Sequence, residues 1–162
     1  MTVRKRLPGT PEPDLVLPGS DGVRIAADCW GRKGDPLVLL LHGGGQTRHA
    51  WKGTGEALAA ARFHTYSLDA RGHGDSDWAS DGDYEQDGMV NDLASVVEAL
   101  GDPHPVLVGA SMGGGVSLCA IGDGKVDARA LVLVDMAPKI EAEGAQKILA
   151  FMRQKPDGFD SL

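Results

Sequence analysis

Leu37-Val38-Leu39-Leu40-Leu41 is an unbroken apolar run, and Gly43-Gly44-Gly45 closes it. A strand with one wet face alternates apolar and polar residues. An unbroken run must be covered on both faces, which is the position of a central strand in a parallel sheet. Val106-Leu107-Val108 and Ala130 to Val134 repeat the pattern, and His64 to Leu68 alternates weakly as a further strand. Between them lie helical signals. An alanine-rich stretch predicts a helix over about Gly55 to Arg62. Met89, Val90, Leu93, Val96, Val97 and Leu100 recur at helical spacing within Tyr84 to Leu100, and Gly101 supplies the stop. A short helix is expected after residue 111, ending near Gly122. Another is expected over Lys139 to Gln154, with Ile140, Ile148, Leu149 and Met152 on its apolar side. Strands alternating with helices give a parallel sheet covered on both faces, an α/β fold.

Upstream, Pro18-Gly19-Ser20-Asp21-Gly22 separates Leu15-Val16-Leu17 from Val23 to Trp30, the signature of a hairpin. Residues 1–13 hold Pro8, Pro11 and Pro13 and read as a frayed lead-in. The 162 residues fit one domain. The net charge of −7 argues against general nucleic-acid affinity, which needs a basic face. Cys29 and Cys119 share no metal or redox spacing, so a reducing compartment is expected. Arg4, Lys5 and Arg6 are followed by no apolar h-region, and no apolar run approaches the ~20 residues of a membrane span. The cytoplasm is the default location, with no membrane and no nucleic-acid partner.

The chemistry is concentrated at Gly109-Ala110-Ser111-Met112-Gly113, where the Val106–Val108 strand runs into a helix. This is the G-x-S-x-G arrangement in which a strained strand-to-helix turn exposes a serine oxygen. Small flanking residues, Gly109 and Gly113, avoid the clashes such a turn creates. A tetrahedral intermediate needs two backbone N–H donors aimed at its oxyanion. Met112, just after the serine, is the first candidate. Gly44, in Leu41-His42-Gly43-Gly44-Gly45, is the second. A serine hydroxyl also needs a base. All five histidines, His42, His49, His64, His73 and His104, precede Ser111. His42 reads as structural. No EF-hand, P-loop or dinucleotide motif survives inspection: Ala79 and Gly88 stand where a calcium loop needs ligands, and Cys119 stands where a P-loop needs glycine. No metal and no cofactor are expected.

Four motifs occur in order: His42 to Gln46, then Asp69-Ala70-Arg71-Gly72-His73-Gly74-Asp75-Ser76, then Gly109 to Gly114, then Leu131-Val132-Leu133-Val134-Asp135. Together they resemble the alpha/beta-hydrolase superfamily, in its cap-bearing branch of esterases, C–C hydrolases and cofactor-free haloperoxidase-like enzymes. The resemblance implies an alpha/beta-hydrolase sandwich lacking its C-terminal strands. A core would span residues 14–138, and the start of a cap residues 139–162. It implies that the Arg71–Ser76 loop, His73 included, is structural, and that the acid and the histidine of a triad come after the elbow. Asp135, at the end of the last apolar strand, is either that acid or a structural aspartate. Serine rather than aspartate at the nucleophile position points to ester, thioester or similar acyl substrates. Two other readings stay open. One is an inactive fragment serving as a binding or assembly module, pairing through an exposed sheet edge. The other is a cofactor-free perhydrolase, which nothing in these residues separates from an esterase.

Overall fold

A computed structural model describes residues 9–136 together with Gln146 and Ala150. Its strands are β1 (Leu15–Pro18), β2 (Arg24–Trp30), β3 (Leu37–Leu41), β4 (His64–Leu68), β5 (Val106–Ala110) and β6 (Ala130–Val134). Its helices are α1 (Lys52–Ala60), α2 (Gln86–Leu100) and α3 (Met112–Gly122). The strands form one sheet in the order β1-β2-β4-β3-β5-β6. β1 and β2 are the expected hairpin, and β2 joins β4 antiparallel. From β4 to β6 every pairing is parallel.

β3 is central, and all five of its residues are buried. Its two faces meet different partners. Leu37, Leu39 and Leu41 join one apolar cluster with Tyr66, Leu68, Leu107 and the α2 residues Val90, Leu93 and Val96. Leu40 lies opposite Ser67, whose hydroxyl donates to Arg48 O in the 3-10 turn leading into α1. Leu40 and Val38 therefore face the α1 side. This two-sided cover is why the run Leu37–Leu41 carries no polar residue.

Chain order reverses around β3. The chain passes from β3 to β4 on one side, then crosses through α2 to β5 on the other. The loops after β3 and β5 meet at that switch point, at the carboxyl ends of the strands, where open α/β sheets place their ligand sites.

One expected boundary needs correction. α1 begins at Lys52 rather than near Gly55, because the turn Arg48–Trp51 feeds directly into it. Position 55 lies inside the helix and holds glycine because a Cβ there would sit 2.4 Å from the Trp30 ring. Within the expected lead-in, Pro11 O accepts from Arg48 Nη2 at 3.0 Å. Among the described residues β6 ends the sheet, and none of its five residues is fully buried. Leu131 and Leu133 are half-buried, whereas Val132 is 46% and Val134 38% exposed. The helices explain this, since α3 packs on β5 and β6 while α1, on the other face, packs on β2 and β4.

The helix expected over Lys139–Gln154 and the cap expected from residue 139 lie outside the described residues, apart from Gln146 and Ala150, which are helical. Both cysteines are free and half-buried. Among the described residues, no helix is long and apolar enough to cross a membrane.

Candidate active site

Ser111 is exposed on the turn between β5 and α3, with φ +44° and ψ −108°. That left-handed backbone is costly for any residue with a Cβ, and such strain tends to persist at functional sites. Packing holds it in place. A Cβ on Gly109 would lie 2.5 Å from the backbone of Gly113, and one on Gly113 would lie 2.5 Å from Leu41 O. The two glycines let α3 begin directly against β3 and β5. Three backbone bonds then fix the turn: Ser111 N–H to Val134 O at 3.2 Å, Gly113 N–H to His42 O at 3.2 Å, and Gly115 N–H to Ser111 O at 3.0 Å.

The glycine loop after β3 lies against this turn. A Cβ on Gly43 would be 3.6 Å from Ser111 Cβ, and one on Gly44 would be 3.9 Å from Met112 Sδ. Among the described residues, the N–H groups of Gly44 and Met112 find no partner. The structure thus brings Gly44, Ser111 and Met112 together at the carboxyl ends of β3 and β5. The first turn of α3 adds the positive end of its dipole.

Asp135 lies one residue beyond Val134, which pairs with Ala110 just before Ser111. It is exposed and also has a positive φ, +50°. The two residues thus occupy adjacent strand ends.

His42 is buried, and burial pushes its pKa below the ordinary value. Its Nε2 accepts from Ala70 N–H at 3.0 Å, so Nδ1 carries the proton and donates to Gly43 O at 2.8 Å. His73 is engaged in the same way: Nε2 accepts from Gly45 N–H at 3.3 Å and Nδ1 donates to Arg71 O at 3.1 Å. Neither imidazole has a nitrogen free to take a proton from Ser111. The remaining three contact Asp28 (His49), Cys29 (His64) and Asp127 (His104).

Two buried arginines organise the surrounding loops. Arg48 is 0% exposed and bonds Asp28 Oδ1 (2.7 Å), Asp69 Oδ2 (2.7 Å) and Asp75 Oδ2 (2.8 Å). Burial works against its charge, but the three carboxylates outweigh that and raise its pKa. Arg71 forks onto Asp92 of α2 at 2.6 and 2.8 Å, and Ser20 donates to the same carboxylate. Sequence reading missed Arg48, Asp28 and Asp92. Arg48 follows a polar loop with no periodicity to mark it. Asp92 carried a readable signal: it sits among Met89, Leu93 and Val96, on the helical face that packs inward.

The alpha/beta hydrolase fold model matches residues 36–160. The chain belongs to the alpha/beta hydrolase family. Among curated members it is similar to protein phosphatase methylesterase 1 of Bos taurus, 32% identical over 78% of this chain and 35% of that protein. It is also similar to esterase Rv0045c of Mycobacterium tuberculosis, 37% identical over 79% of this chain and 40% of that protein. Among solved structures, a Pseudomonas aeruginosa PA01 hydrolase superposes with a TM-score of 0.72 at 28% identity, covering 86% of this chain and 52% of that one. These alpha/beta hydrolase relatives are enzymes, esterases among them. The chain spans 35% and 40% of the length of the two curated relatives.

Proposed function

We propose that this chain carries the nucleophile and oxyanion half of a serine hydrolase acting on an ester, thioester or similar acyl bond. The observation supporting it is Ser111 held at a positive φ beside two unpartnered amides, Gly44 and Met112. Ser111 Oγ attacks the carbonyl carbon, and the carbonyl oxygen gains negative charge. The two amides receive that charge at fixed positions. The hydroxyl proton passes to a histidine other than the five in this chain, because His42 and His73 are fully engaged and the others make contacts elsewhere. Asp135, at the neighbouring strand end, is the acid proposed to steady that base. No metal and no cofactor enter this scheme, and the substrate is a small acyl compound. The esterases among the relatives support the choice of acyl chemistry.

Fluorophosphonate labelling tests it. Stoichiometric modification mapped to Ser111, and absent in Ser111→Ala, is the result expected once a base is supplied, within a longer chain or by a partner. Labelling no faster than in Ser111→Ala under those conditions would leave a binding module as the surviving reading.

The strained backbone gives a second check. Ser111→Gly removes the Cβ that opposes φ +44°, whereas Ser111→Ala keeps it. The glycine variant is expected to be the more stable by about 1 kcal/mol in urea denaturation. Equal stabilities would show that the turn stores no strain.

β6, the edge strand among the described residues, is proposed as a self-association surface of this 162-residue chain. Ala130 to Val134 carries no charge and no proline, the usual protections of a sheet edge. Light scattering is expected to show oligomers that Val132→Lys disperses. A sharp monomer peak for the unmodified chain would exclude this.

A further inference from the structure

We infer that His73 is a positioning residue that aims the Gly44 amide at the oxyanion, an inference resting on the serine-hydrolase reading above. The loops after β3 and β4 exchange histidine–amide bonds. His42, from the first loop, accepts Ala70 N–H of the second at 3.0 Å. His73, from the second, accepts Gly45 N–H of the first at 3.3 Å. The two rings lie 5.1 Å apart and tilted by 54°. Each ring is also fixed at its other nitrogen by a carbonyl, Gly43 O for His42 and Arg71 O for His73.

The consequence falls on the residue in between. Gly43 N–H is tied to Gln46 Oε1 at 3.0 Å, and Gly45 N–H is tied to His73. Gly44 N–H is the one amide of the three left without a partner among the described residues. A triple-glycine loop has wide backbone freedom. Anchoring the amides on both sides of Gly44 restricts where its own N–H points, so the donor is oriented before any substrate arrives. Arg48 extends the support. It joins Asp69 and Asp75 and so holds the loop that carries His73.

The experiment uses solvent-exchange NMR on the intact chain. His73→Phe keeps a ring in place and removes the acceptor. Gly45 N–H is expected to exchange about 10-fold faster, the loss of one hydrogen bond, while the amides of Leu39 and Leu40 stay unchanged. His73→Gln supplies a side-chain carbonyl and is expected to recover part of that protection. Unchanged Gly45 exchange in His73→Phe would overturn the inference.

A second readout separates aiming from general stability. With a base supplied, the rate of fluorophosphonate capture at Ser111 is expected to fall about 10-fold in His73→Phe while the probe's reversible affinity holds. Capture that is equal in both His73 variants and the parent would overturn the aiming role and leave the Ser111 reading standing. No capture even in the parent would remove the serine reading, and the Gly45 exchange rates would then decide the clamp alone.

Discussion

Arg48→Ala is expected to lower the stability of the fold by about 3–5 kcal/mol, the loss seen when one partner of a buried ion pair is removed. The guanidinium is fully buried, and so is the Asp69 carboxylate facing it; Asp28 and Asp75 are 14% and 17% exposed. Removing the cation leaves three carboxylates crowded in one partly dry site. Asp69 has no easy escape, because it also accepts Arg48 N–H at 2.6 Å and Asp75 N–H at 2.8 Å. Arg48→Lys keeps a charge but loses the fork that reaches several carboxylates at once, so it is expected to fall between the parent and the alanine variant. Urea denaturation measures both. A loss under about 1 kcal/mol for Arg48→Ala would show the cluster to be no stronger than an exposed pair. Arg24–Asp77 provides that comparison: its bonds are as short, 2.8 Å, but Arg24 is 71% exposed, and Arg24→Ala should change stability far less.

Gly113→Ala is expected to cost about 1–3 kcal/mol through overpacking, although alanine is the better helix former. The added methyl would lie 2.5 Å from Leu41 O and 2.7 Å from Leu41 Cβ. Those atoms belong to β3, hydrogen-bonded on both sides and buried on both faces, so they cannot retreat. Helix α3 has to move instead, stretching the bond from Gly113 N–H to His42 O and shifting Met112 and Ser111. Gly115→Ala is the control, two residues along the same helix. Its methyl would meet Met136 Cε at 3.6 Å and Gln86 Nε2 at 3.9 Å, ordinary contact distances. It is expected to be neutral or stabilising, since replacing a helical glycine with alanine gains up to about 1 kcal/mol. Equal effects of the two substitutions in denaturation would show that close approach at Gly113 is not what requires glycine.

The layout of the sheet was legible wherever burial writes itself into local sequence. Leu37–Leu41 announced a doubly covered strand, and the 3.6-residue spacing through Tyr84–Leu100 announced the helix that became α2, ended by Gly101 at φ +73°. The boundary of α1 was not legible, because Gly53 and Gly55 weaken helix propensity and only the close contact with Trp30 explains the glycine at position 55. The candidate site was legible as two separate glycine-bounded motifs. Their distance in the chain, from Gly44 to Met112, carries no sign of contact; only the need of an oxyanion for two donors linked them.

The sequence alone determined the strands and the residues of the strand-to-helix turn at Ser111, because periodicity and glycine placement are local properties. Tertiary structure alone decided three things: that Arg48 is the buried partner of three aspartates, that His42 and His73 have no nitrogen to spare, and that β6 leaves Val132 and Val134 exposed. Each depends on groups brought together from distant segments. The partner of a charge, or the cover of a strand face, is set by the strand order β1-β2-β4-β3-β5-β6 rather than by the neighbours of a residue along the chain.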